Sequence, residues 1–132
     1  MNEKHNWIQL EEGLYFVEKA YLIAPDNQAV QLQDARIEIY IGRAGHRLMR
    51  GFAKVKNMLI VELLEENDRI DLLVDMGGEF KYRLENPVLK AGKVFTPDVS
   101  STLQFVPNRP WRKIAEDAFE QNRAEMVLLN CS

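Results

Sequence analysis

The chain reads as a β-rich α+β domain: a mostly antiparallel sheet, twisted or half closed into a barrel, with one C-terminal amphipathic helix packed on it. Three observations carry this expectation. Apolar and polar residues alternate with period two up to about residue 106, tight-turn residues separate the alternating segments, and a 3.6-residue apolar period occurs after residue 110. With 132 residues, 46% of them apolar and 28% charged, the composition is globular and one domain over 1–132 is expected. The first thirteen residues carry no apolar h-region, and no apolar run approaches the roughly 20 residues of a membrane span. A single cysteine, Cys131, excludes an internal disulfide framework, so a soluble, cytoplasmic protein is expected.

The elements follow in order. GLYFVEKAYLIA (13–24) is an extended run closed by the turn residues Pro25, Asp26 and Asn27. The next strand changes parity: Val30 and Leu32 share one face, whereas Ala35, Ile37, Ile39 and Ile41 share the other, which predicts a bulge near Gln33 and Asp34. A turn at 42–45 leads into a strand over 48–56, and a break is required near Asn57. A hairpin turning at Asn67 and Asp68 then opposes Leu63 to Leu72, Val61 to Val74 and Leu59 to Met76. A three-residue loop, Met76, Gly77 and Gly78, sets Leu72 against Tyr82, Val74 against Phe80, and Asp71 against Arg83 on a wet face. KVFTPDV turns at Pro97 and Asp98 before STLQFV, whose Leu103 and Phe105 alternate with Thr102 and Gln104. Trp111, Ile114, Ala115, Ala118 and Phe119 make one helical stripe, so a helix is expected over about 110–122, begun by Pro110. Residues 125–129, EMVLL, read as either a last strand or more helix.

Charge is distributed in blocks. Residues 39–61 hold five Lys and Arg and no acid, while residues 62–79 hold Arg69 against seven acids. In the basic block, RAGHRLMRGFAKVK, an extended chain puts Arg50, Phe52, Lys54 and Lys56 on one face, with Arg43, His46 and Arg47 at the rim. Cations beside an aromatic ring suit single-stranded nucleic acid, since cations track phosphates and a ring stacks a base. The competing interpretation pairs Arg50, Lys54 and Lys56 with Glu62, Glu65 and Glu66 of the neighbouring acidic hairpin. A sequence pI near 5.4 also weighs against a polyanion. A second basic group, Arg109, Arg112 and Lys113, stands at the expected helix start, where cations oppose the helix dipole and an anion would relieve them. Tyr15, Tyr21 and Tyr40 suit a subunit interface or a ligand pocket.

Catalytic and metal signatures are missing. The two histidines, His5 and His46, have no neighbouring nucleophile, HExxH and CxxC do not occur, and no nucleotide loop is present. Carboxylates such as Asp71 and Asp75 are placed on a solvated strand face. The expectation is therefore a non-enzymatic binding module without cofactor or metal, acting through self-association or a protein partner. An anion or single-stranded nucleic-acid binder using 43–56 and 109–113 is the alternative, and an aromatic-lined ligand pocket the third.

Overall fold

The β-branched and aromatic residues of the chain assemble into a single curled sheet. A computed structural model describes residues 10–78, 80–91 and 100–129. His5 and Trp7, the expected turn at Pro97 and Asp98, and Cys131 lie outside them. In chain order the elements are β1 (Gly13–Phe16), β2 (Lys19–Ile23), β3 (Gln28–Ile41), β4 (Arg47–Lys56), α1 (Asn57–Glu66), β5 (Asp71–Asp75) and β6 (Lys81–Leu84). They continue with β7 (Val88–Ala91), β8 (Ser100–Val106), β9 (Arg112–Lys113), α2 (Glu116–Glu125) and β10 (Val127–Leu128). The strand order is β7-β8-β4-β3-β2-β5-β6-β9, and β1 and β10 also pair with β3. The described pairings are antiparallel except that of β10 with β3. The β-rich α+β class is as the alternation predicts, with two helices rather than one. Among the described residues no helix is long and apolar enough to cross a membrane.

The sheet curls because two strands bend at the same height. The apolar run 13–24 divides at Val17 and Glu18: Val17 N–H donates to the Ala35 carbonyl at 3.0 Å, and Glu18 N–H turns away to the Asp75 carbonyl at 2.8 Å. Opposite this division β3 shifts register between Gln33 and Arg36, with Asp34 at φ 50°. This is the bulge that the parity change calls for. It lets Val30 and Leu32 before it, and Ala35, Ile37 and Ile39 after it, enter one core. The turns agree with their sequences too. Pro25 and Asp26 are followed by Asn27 at φ 72°, and Arg43 and Ala44 by Gly45 at φ 79°, the left-handed closing residue that such short hairpin loops require.

Two apolar layers result. The larger lies inside the curl, where Leu22, Ile37, Met49, Leu72 and Phe105 meet Leu59, Ile60 and Leu63 of α1. Phe105 packs directly over Gly51, where an added Cβ would lie 1.9 Å from the ring. The smaller layer is on the outside of the sheet: Tyr21, Ile23, Ala29 and Leu73 are covered by Phe119 of α2 and by Met126. Strands β2 and β5 are therefore buried on both faces, which explains their nearly unbroken apolar sequences.

Four expectations are corrected. Residues 57–66 form a helix, not the first arm of a hairpin, so Leu63/Leu72, Val61/Val74 and Leu59/Met76 are not strand pairs. The buried set Leu59, Ile60 and Leu63 has helical spacing, and Asn67 Nδ2 donates to the Leu63 carbonyl at 3.0 Å to close the last turn. Second, Leu72 faces Leu84 and Val74 faces Tyr82. The turn is thus centred one residue later, on Gly78 instead of Gly77, with Met76 N–H donating to the Phe80 carbonyl at 2.8 Å, and the resulting slip of two residues between strands keeps every side chain on its own face. Third, the C-terminal helix covers 116–125 instead of 110–122. Residues 112 and 113 pair with Arg83 and Tyr82, and Trp111 stacks on Tyr82 with ring centroids 4.6 Å apart, so the chain stays extended there. The helix begins where Glu116 and Asp117 favour its positive end. Fourth, Asp71 and Asp75 are buried, not solvated.

Candidate functional site

Two regions gather the residues that carry chemistry. The first is the outer face of β1, β3, β4, β8 and β7, which no described element covers. Cross-strand register aligns Phe16, Arg36, Phe52, Gln104 and Lys90 in one row. The next row begins Leu14, Glu38, Arg50. Phe16 is 75% exposed, Leu14 54% and Val88 45%, unusual values for side chains of this size on one sheet face. With strands about 4.8 Å apart, the Phe16 and Phe52 backbones stand about 10 Å apart with Arg36 between them.

The expected basic face of β4 is present, and its partners differ from those anticipated. Arg50 Nε donates to Glu38 Oε1 at 2.6 Å and lies over the Tyr40 ring at 4.6 Å; Lys54 sits 4.0 Å from Asp34. Both acids belong to β3. Glu62, Glu65 and Glu66 lie exposed along α1 and, among the described residues, make no ion pair with Arg50, Lys54 or Lys56, which corrects the pairing expected with an acidic hairpin. Lys56 is exposed, Arg43 occupies the hairpin tip, and His46 and Arg47 are half-buried beside it. Where β1 parts from β3 the same face deepens into a cleft of about 520 Å³, whose walls include Phe16, Glu18, Gln31, Asp34, Arg36 and Lys54.

The tyrosines are not brought together. Tyr15 packs against the main core and donates its hydroxyl to the Glu11 carbonyl at 2.7 Å. Tyr21 is buried under α2, where Arg123 Nε donates to its hydroxyl at 3.1 Å. Tyr40 is the one of the three on the uncovered outer face of β3 and β4, beneath Arg50.

The second region lies at the other end of the sheet order. Asp71, with 7% of its side chain exposed, accepts hydrogen bonds from Arg69 Nε (3.2 Å), Arg83 Nε (3.0 Å), Arg83 Nη2 (2.7 Å) and the Asn86 N–H (2.9 Å). Burial alone would raise this carboxyl, but the bonds from Arg83, Asn86 and Arg69 outweigh it and hold Asp71 below its ordinary 3.8. The Asp71–Arg83 contact foreseen from sequence is real, made diagonally because Arg83 stands opposite Leu73. Glu85 continues the network: Arg112 Nη2 is 2.6 Å from Oε1, while Arg69 and Arg109 approach Oε2 at 3.7 and 3.8 Å.

No protein-family model, curated protein or solved structure matches the chain. Arg109, Arg112 and Lys113 do not begin a helix, so the dipole argument for them falls. Arg109 and Arg112 nevertheless converge, on Glu85, whereas Lys113 points the other way, 5.4 Å from the Phe80 ring centroid. Arg69, Arg83 and Glu85 had no sequence signal tying them to the pair, because only the fold of β6 against β9 joins 83–85 to 109–112. A buried ion pair, approached by the exposed Glu116, was missed as well. Lys81, 4% exposed, lies 3.4 Å from Asp75 and 3.8 Å from Glu116, donates to the Gly78 carbonyl and faces the Phe119 ring at 5.7 Å, linking α2 to the sheet.

Proposed function

We propose that the protein is a non-enzymatic cytoplasmic binding module that self-associates through the open outer face of β1, β3, β4, β8 and β7. The observation that carries this reading is the exposure of Phe16, Leu14 and Val88 on a sheet face that no described element covers. Apolar side chains flanked by charge are the composition of a protein interface. Both signs are present in adjacent rows, Arg36 in one and Glu38 in the next, so two copies about a two-fold axis can complement each other. The buried ionisable groups Asp71, Asp75 and Lys81 are all held in ion pairs, which fits structural roles rather than catalytic ones.

Single-stranded nucleic acid is the second reading, favoured by the Phe16, Arg36, Phe52 row with Lys54 and Lys56 beside it. Against it stands the neutralisation of Arg50 and Lys54 by acids of the same face. One experiment separates the two. Light scattering on gel-filtered protein is expected to give a dimer that Phe16→Ser with Leu14→Ser converts to monomer, with weak heparin retention. A monomeric wild type that binds heparin strongly, and loses it when Arg50, Lys54 and Lys56 become Gln, would overturn self-association.

A further inference from the structure

The geometry points to an oxyanion site at the arginine cluster of β6 and β9, built for a small ligand carrying one or two phosphate groups. Four guanidiniums, from Arg69, Arg83, Arg109 and Arg112, surround two carboxylates, Asp71 and Glu85. Arg83 and Arg112 are direct cross-strand partners. Like charges in that position are destabilising unless something between them supplies the opposite sign. Asp71 serves Arg83 and Arg69, and Glu85 serves Arg112, which leaves a surplus of two positive charges.

The surplus is located at particular atoms. Arg112 hydrogen-bonds Glu85 at 2.6 Å, whereas Arg69 and Arg109 stop at 3.7 and 3.8 Å from its other oxygen, beyond hydrogen-bond distance. Arg69, Arg109 and Arg112 have side chains 52%, 70% and 63% exposed, so their remaining N–H donors are open to an incoming ligand. A tetrahedral oxyanion offers the several acceptor oxygens that planar guanidinium forks engage in pairs. Beside the cluster is a cleft of about 240 Å³ lined by Ile23, Ala24, Pro25, Arg69, Asp71 and Arg83. The cleft meets the cluster at Arg69 and Arg83, with Arg109 and Arg112 outside its lining, and its volume, below the usual range of about 300–1,000 Å³ for drug-sized ligands, suits only a small occupant. The Asp71 carboxylate at its wall is covered by two guanidiniums and does not present a bare negative charge. Glu85 acts as the resident counter-ion, and the ligand competes with it for Arg109 and Arg112.

Titration calorimetry of the full chain with inorganic pyrophosphate, at fixed ionic strength in chloride, tests this. Wild type is expected to bind one equivalent saturably. Arg109→Gln and Arg112→Gln, both exposed positions, are expected to weaken binding about tenfold or more each while leaving the melting temperature close to wild type. Glu85→Gln is expected to tighten binding, an effect that a purely structural role for Glu85 does not produce. Absence of saturable binding overturns the site, as does equal affinity in wild type and both arginine variants. Weaker binding in Glu85→Gln, with its melting temperature unchanged, overturns the counter-ion assignment. The self-association test uses Phe16 and Leu14 in the other half of the sheet, so either proposal can fail without the other.

Discussion

Four donated hydrogen bonds converge on the Asp71 carboxylate, and the group that receives them is almost completely buried. Removing the charge by Asp71→Asn leaves Arg83 facing Arg112 without its acid. A cost of about 2–3 kcal/mol is expected near neutral pH, less than for a fully buried pair because both arginines reach solvent. The pH dependence has a definite sign. The folded-state value lies below the ordinary 3.8, so the stabilisation is fully present above 3.8 and disappears as pH falls through the lower, folded-state value. Urea midpoints of wild type and Asp71→Asn should therefore differ most near neutrality and draw together in acid below 3.8. A gap that widened on acidification would show that Asp71 does not act as a charged acceptor.

At the scale of elements, the β4–β8 pairing depends on the absence of a side chain. Gly51 faces Phe105 across the strands, and the ring fills the space a Cβ would need. Gly51→Ala is expected to destabilise by about 1–3 kcal/mol, as overpacking does. Phe105→Leu in the same chain should recover part of that loss, giving a coupling energy that a double-mutant cycle reads. Such contacts also show which elements a sequence can specify. Strands β3, β4 and β8 were legible because a bulge, a glycine turn and strict alternation each have a local cause. Helix α1 was not, because Leu59, Val61 and Leu63 satisfy a period of two while Leu59, Ile60 and Leu63 satisfy a helix, and only packing against the sheet decides. The β5–β6 loop is ambiguous for a related reason, since its two registers put the same residues on the same faces. At the site, Arg109 and Arg112 could be singled out by local charge. Their partners Arg69 and Glu85 are supplied by topology, and no short stretch contains them.

For the whole molecule, β3 is the spine. Its 14 residues pair with β1, β2, β4 and β10, so both halves of the sheet are bonded to it. The alternating charge blocks are settled around it, the basic strand β4 finding its acids in β3 rather than in the acidic segment that follows. The two apolar layers on either side of this spine are unequal. The inner one takes in strands from both halves of the sheet together with α1; the outer one depends on Phe119, Met126 and a two-residue parallel seam in which Val127 and Leu128 meet Gln28 and Ala29. Such a seam joins the C-terminal segment to the start of β3 with very few bonds, so residues 116–128 are able to unlatch as a unit while the rest stays folded. Native-state hydrogen exchange is expected to show α2 and β10 amides exchanging together at a lower opening free energy than those of β3 and β4. Each opening would bring the normally sealed Tyr21 hydroxyl to solvent, making that one phenol a clock for the latch: nitration of Tyr21 should proceed at the unlatching rate and keep pace with the α2 amides.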